Sequence, residues 1–127
     1  IYGHPDHVKG FHVSVTAAAA AGVDCVYEMT VDREYLHFVE THLVEAAALA
    51  GDLGLAGSRI GSASVEIDLT VDVRQHLPAK RSAMATHVSQ LPEHAPVFGL
   101  DEQGFADVYG WEWYLRRGSR GPLDDLA

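Results

Sequence analysis

The segment YGHPDH at residues 2–7 places two imidazoles, a carboxylate and a phenol within six positions. Pro5 pre-sets the backbone of a first helical turn and lacks an N–H that such a turn leaves unbonded, so a helix is expected to start at His4 or Pro5. His4 and His7 then stand three apart on one helical face, with Asp6 beside them and Tyr2 just ahead. Neutral imidazole is a common zinc ligand, and a carboxylate bonded to a ring N–H fixes which nitrogen is free and raises its basicity. One histidine could hold a metal while the other, oriented by Asp6, gives or takes a proton. A helix start also stabilises an oxyanion or a metal-bound hydroxide. The same residues serve equally well as a cap and a solvated surface. A catalytic zinc takes about three protein ligands plus water. The remaining histidines, His12, His37, His42, His76, His87 and His94, form no HxxxH or HExxH pair.

Composition narrows the setting. A chain of 127 residues with 47% apolar and 21% charged residues suits one modest domain. Nine Lys and Arg against 18 Asp and Glu leave a formal charge of −9. That balance repels phosphate backbones and anionic lipid, so no nucleic-acid partner is expected. The five alanines from Ala17 to Ala21 fall far short of the roughly 20 apolar residues that cross a bilayer, so no membrane partner is expected either. Cys25 is the lone cysteine, which rules out an intrachain disulfide and suits a reducing, cytoplasmic compartment.

The elements that must position the histidines follow from periodicity. The first helix should run to Gly22, burying a stripe of Val8, Phe11, Val15 and Ala18. Residues 25–31, CVYEMTV, read as a strand without one-sided alternation. Asp32 should cap a helix from residue 33 to about residue 50, with Leu36, Val39, Leu43 and Ala47 along one face. The Gly- and Ser-rich stretch 51–64 reads as a loop. Residues 65–71 alternate Val65, Ile67, Leu69 and Val71 with polar residues and read as a strand with one wet face. Asp72 can cap a turn from which Pro78 restarts a helix to about residue 91, broken by Pro92 and Pro96. A short helix near 102–108, a strand through YGWEWYLRR and a loose SRGPLDDLA terminus complete the chain. Helices alternating with strands favour an α/β fold with a parallel-rich sheet flanked by helices. Three strands leave exposed edges, so the chain reads as part of a fold.

The hexapeptide YGHPDH followed by a helix of small residues resembles the second zinc motif of the LmbE-like, or PIG-L, deacetylases. These are zinc hydrolases that remove acetyl groups from N-acetylglucosaminyl conjugates. The resemblance extends through residues 31–39, 80–90 and 105–117 and covers nearly the whole chain. It implies the C-terminal part of a Rossmann-like domain. The family's first motif, of the form AHPDDE, does not occur in these residues, and the N-terminal part of the same protein is the expected partner. By resemblance His7 is a zinc ligand, His4 the general acid for the leaving amine, Asp6 its orienting partner, and Tyr2 a donor to the amide oxygen. The implied substrate is a small acetylated amino-sugar conjugate. A non-catalytic sugar-binding remnant and an amidase of mycothiol-type conjugates remain alternatives, and homo-oligomerisation stays open.

Other residues carry weaker signals. His87, Ser89 and Gln90 could contact a sugar but read equally as caps. Tyr109, Trp111, Trp113 and Tyr114 could stack on a sugar ring, though core packing plus an edge strand is the preferred reading. Cys25, inside an apolar strand, is expected to be inert core.

Overall fold

The computed structural model describes residues 4–39, 60–89, 91 and 95–127. Helix α1 spans Pro5–Ala20 with His4 as its N-cap, where Pro5 was expected to start it. It closes on Gly22, whose positive φ of 67° lets Gly22 and Val23 donate their N–H groups back to Ala19 and Ala18. Strand β1 is Cys25–Thr30. Helix α2, Arg33–Phe38, starts where Asp32 accepts the Tyr35 N–H at 3.0 Å. Its expected continuation to residue 50, most of the loop 51–64, Tyr2, His42, Gln90, Pro92 and His94 lie outside the described residues.

Strand β2 is Leu69–Asp72, four residues later than the alternation implied. Ser64–Glu66 forms a 3₁₀ turn instead. There Ser64 gives its N–H and hydroxyl to Glu34, and Ala63 gives its N–H to Glu66. Side-chain partners thus outbid the ladder for these main-chain groups, and Val65 is left 95% exposed. Within β2 the alternation holds, with Leu69 and Val71 buried and Thr70 and Asp72 in solvent. Helix α3, Leu77–Ala85, ends short of residue 91. The Thr86 hydroxyl bonds back to the Ala83 carbonyl at 2.7 Å just past that end. Helices α4, Pro96–Gly99, and α5, Glu102–Tyr109, lead to strand β3, Trp111–Gly118.

The parallel-rich, Rossmann-like sheet is not what the described residues form. Their order is β1-β3-β2 with both pairings antiparallel, Glu28 opposite Leu115 and Val71 opposite Glu112. β1 and β2 do run in the same sense, but the last strand enters between them reversed. β3 is the longest and most aromatic strand, and the central place pairs both its edges while burying Trp113.

A core of Ala95, Val97 and Phe105 gathers Leu77, Met84, Leu91 and Tyr109 around it. The Lys80–Arg81 pair ties α3 into this layer. Lys80 donates to the Tyr109 carbonyl and to Glu112, while Arg81 donates to the Phe98 and Leu100 carbonyls and lies over the Phe105 ring. The expected burial of the α1 stripe is not found: no residue of α1 is buried, and Phe11 is 37% exposed. That face borders an open cleft rather than a packed layer.

The C-terminus is not loose. Pro122–Asp125 forms a 3₁₀ turn in which Asp124, 6% exposed, accepts from the Tyr27 hydroxyl, the Gly121 N–H and the Arg116 guanidinium. The Gly121 and Tyr27 hydrogen bonds hold the Asp124 carboxyl below its usual range. Burial, and then Asp124, push the Tyr27 phenol up to about 12. A depressed carboxyl stabilises the fold above its ordinary value and loses that contribution as pH falls through the folded one. A raised phenol contributes fully below about 10 and is lost as pH rises toward 12. The turn is therefore expected to detach below about pH 4, and Asp124→Asn to loosen it at neutral pH. Faster amide exchange at Gly121 and Asp124, with β3 still protected, is the readout; unchanged exchange would show that the carboxylate does not hold the turn.

Candidate functional site

The site is built at the start of α1. His4 adopts extended backbone as N-cap, and its Nδ1 accepts the Asp6 N–H at 3.2 Å. An accepting Nδ1 leaves the proton of the neutral ring on Nε2. Asp6 thus positions His4 through its main chain. Its exposed carboxylate stands 3.9 Å from Nδ1, near enough to act as a charge but too far to hydrogen-bond. The His7 ring follows, its centroid 5.6 Å from that of His4 and its plane inclined by 58°. The structure therefore brings His4, Asp6 and His7 together, and Tyr2 lies outside the described residues.

His7 faces a cleft of about 790 Å³ between α1 and the sheet, with Phe11 and Ser14 along the same helix, Glu28 and Thr30 from β1, and Ser62 from the following loop. The same cleft is lined along α1 from His7 to Val15 and along β1 from Val26 to Thr30. Ser62 is held there by two main-chain bonds, its N–H to the Val31 carbonyl and its carbonyl from the Arg33 N–H. Gly61 makes that approach possible. Its φ is +77°, and a Cβ there would stand 2.2 Å from the Val31 carbonyl oxygen. Gly61→Ala is expected to cost about 1–3 kcal/mol from the left-handed backbone alone, with a further loss from the displaced loop. Urea unfolding measures it; an unchanged midpoint would mean the loop is not pinned in this conformation.

Glu28 pairs with the Arg117 guanidinium, which lies over the Phe11 ring with 5.6 Å to its centroid. Sequence reading missed Glu28, Thr30 and Ser62. Its one signal was a strand lacking clean alternation, which left a carboxylate amid apolar neighbours. No three His, Cys, Asp or Glu side chains converge as a metal cluster among the described residues. These residues alone do not enclose a zinc centre.

Elsewhere the aromatic residues pack as expected, but on the central strand of the sheet rather than on an edge strand. His87 and Ser89 are exposed and line no part of the cleft. Trp113 packs on Tyr35, Trp111 lies under Arg74, and the Tyr114 hydroxyl donates to Glu112 at 2.6 Å. Burial, and then Glu112, push the Tyr114 phenol up to about 12. Cys25 is half-buried at the strand start rather than in the core. No helix among the described residues is long and apolar enough to cross a membrane.

No family model and no solved structure matches the chain. Curated relatives do. A protein of Mycolicibacterium smegmatis is 35% identical over 97% of this chain and 46% of its own length. One of Nocardia farcinica is 36% identical over 95% and 46%, and one of a Nocardioides species 28% identical over 97% and 47%. Each is named 1D-myo-inositol 2-acetamido-2-deoxy-alpha-D-glucopyranoside deacetylase. The chain spans about half the length of the curated relatives it matches.

Proposed function

We propose that the chain is part of a zinc-dependent, cytoplasmic enzyme of the LmbE-like kind that removes the acetyl group from an N-acetylglucosamine-type conjugate, a reading supported by its similarity along nearly its whole length to relatives named as such deacetylases. His7 is one zinc ligand, and the others come from a deacetylase segment that these 127 residues do not include, within a larger Rossmann-like domain. The observation that carries this reading is His7 facing a cleft of sugar-conjugate size from a helix start capped by His4.

The chemistry an ion supplies in such a site is Lewis acidity toward the acetamide carbonyl and a more acidic water. The chain's own residues do the rest. His4 is placed by the bond its Nδ1 takes from the Asp6 N–H in the neutral ring; protonated at Nδ1 it gives up that bond and passes the Nε2 proton to the departing nitrogen, returning to a neutral ring. The Asp6 carboxylate, 3.9 Å from Nδ1, is the partner that orients the ring. Tyr2 donates its hydroxyl to the amide oxygen as negative charge gathers there. Water adds to the carbonyl carbon, the C–N bond breaks, and acetate and a free amine leave.

The absence of a three-ligand cluster among the described residues favours one second reading, a sugar-binding remnant without a competent metal centre. Metal analysis of a deacetylase that carries this segment together with an HPDD-type motif separates the two. Bound zinc, with acetate released from an acetylated glucosaminyl-inositol and lost on chelation, supports the enzyme. Metal-free protein with no acetate release supports the remnant.

A further inference from the structure

We propose that Arg117 is a positioning residue: its guanidinium clamps α1 against the sheet and thereby sets where the His7 ring stands. Arg117 lies opposite Val26 in the register of β1 and β3, and Glu28 is two residues along β1 on the same face. From that diagonal place the Arg117 guanidinium pairs with the Glu28 carboxylate. It also lies over the Phe11 ring of α1, 5.6 Å from the centroid. One side chain of β3 therefore touches both the neighbouring strand and the helix. Arginine suits this double role, because its edge meets a carboxylate while its face covers a ring. The need for such a tie is visible in α1 itself. None of its residues is buried, so no packed layer fixes its pitch. Its C-terminal end is held by the turn into β1, where Val23 bonds back to Ala18 and the Asp24 carbonyl accepts the Ser119 N–H. The stretch from His7 to Val15 borders the cleft instead. Phe11 stands one helical turn from His7 on that same face, so a grip on Phe11 restrains His7.

The clamp follows from the geometry alone. Its consequence for a metal rests on the deacetylase reading, in which a His7 imidazole that rocks with its helix holds zinc less well.

The test follows amide exchange along residues 8–15 in the protein that carries this segment, without metal, and then its zinc affinity by competition with a chelator. Arg117→Ala and Phe11→Leu should each speed exchange there about two- to fivefold, the range for losing one exposed contact between a cation and a ring. The β3 amides of Trp113 and Leu115 should keep their protection. The double variant should exchange no faster than either single one, because both changes remove the same contact. Phe11→Tyr, which keeps the ring face, should match the unaltered protein, whereas Arg117→Lys, which cannot meet carboxylate and ring together, should loosen the helix. Zinc affinity should fall in Arg117→Ala by a similar factor, with the same number of ions bound. Unchanged exchange in α1, or additive losses in the double variant, overturns the proposal. Equal loss of protection in β3 overturns it too, by showing that Arg117 merely holds the sheet, and so does faster exchange with undiminished zinc affinity. A protein that binds no zinc sinks the deacetylase reading and leaves the exchange measurements to decide the clamp.

Discussion

On the proposed reading, replacing His7 with Ala is expected to strip zinc from the protein that carries this segment and to silence it. Losing even a partner that merely orients a metal ligand costs about 10–100-fold in affinity or activity. Losing the ligand itself should exceed roughly 100-fold in both. His4→Ala makes the contrast, because a proton-transfer residue contributes about 10²–10⁴-fold to turnover without holding metal. Zinc should stay with His4→Ala while acetate release falls. Elemental analysis beside an acetate assay reads both variants, and zinc retained at wild-type level in His7→Ala would end the ligand assignment. The 127 residues alone should take up zinc weakly, since one imidazole cannot replace three ligands. Tight one-to-one uptake by calorimetry would contradict that.

Phe105→Ala should be the most damaging change to the fold. Phe105 is 2% exposed, packs with Ala95 and Val97, lies 4.8 Å from the Tyr109 ring, and carries the Arg81 guanidinium over its face. Deleting a buried Phe ring costs about 3–5 kcal/mol against a total stability of about 5–15 kcal/mol. The loss should appear as a large drop in the urea midpoint. Val65→Ala, on a side chain almost wholly in solvent, should shift the midpoint by less than about 0.5 kcal/mol. A Phe105→Ala loss no larger than that would place the core elsewhere.

Local chemistry made several features legible in the sequence. Pro5 and Gly22 bracket α1, Asp32 accepts the N–H that starts α2, and Leu69 and Val71 alternate inward because strand side chains repeat every two residues. His4 and His7 share a face because three residues nearly complete a helical turn. Each of these depends on atoms a few residues apart.

What stayed hidden depends on partners distant in the chain. Tyr27 and Asp124 meet across 97 residues and turn an apparent loose end into a bonded turn. Ser64 reaches back 30 residues to Glu34 and takes the start of β2 out of the ladder. The sense of the sheet was decided when β3 entered between β1 and β2, because alternating helices and strands state an order along the chain but not which strand lies beside which. By itself, the sequence determined which residues can do chemistry and on which local turn they sit. Only the tertiary structure decided what faces them: Thr30, Ser62 and Glu28 line the cleft that His7 borders, because close approach between distant segments follows from packing rather than from spacing.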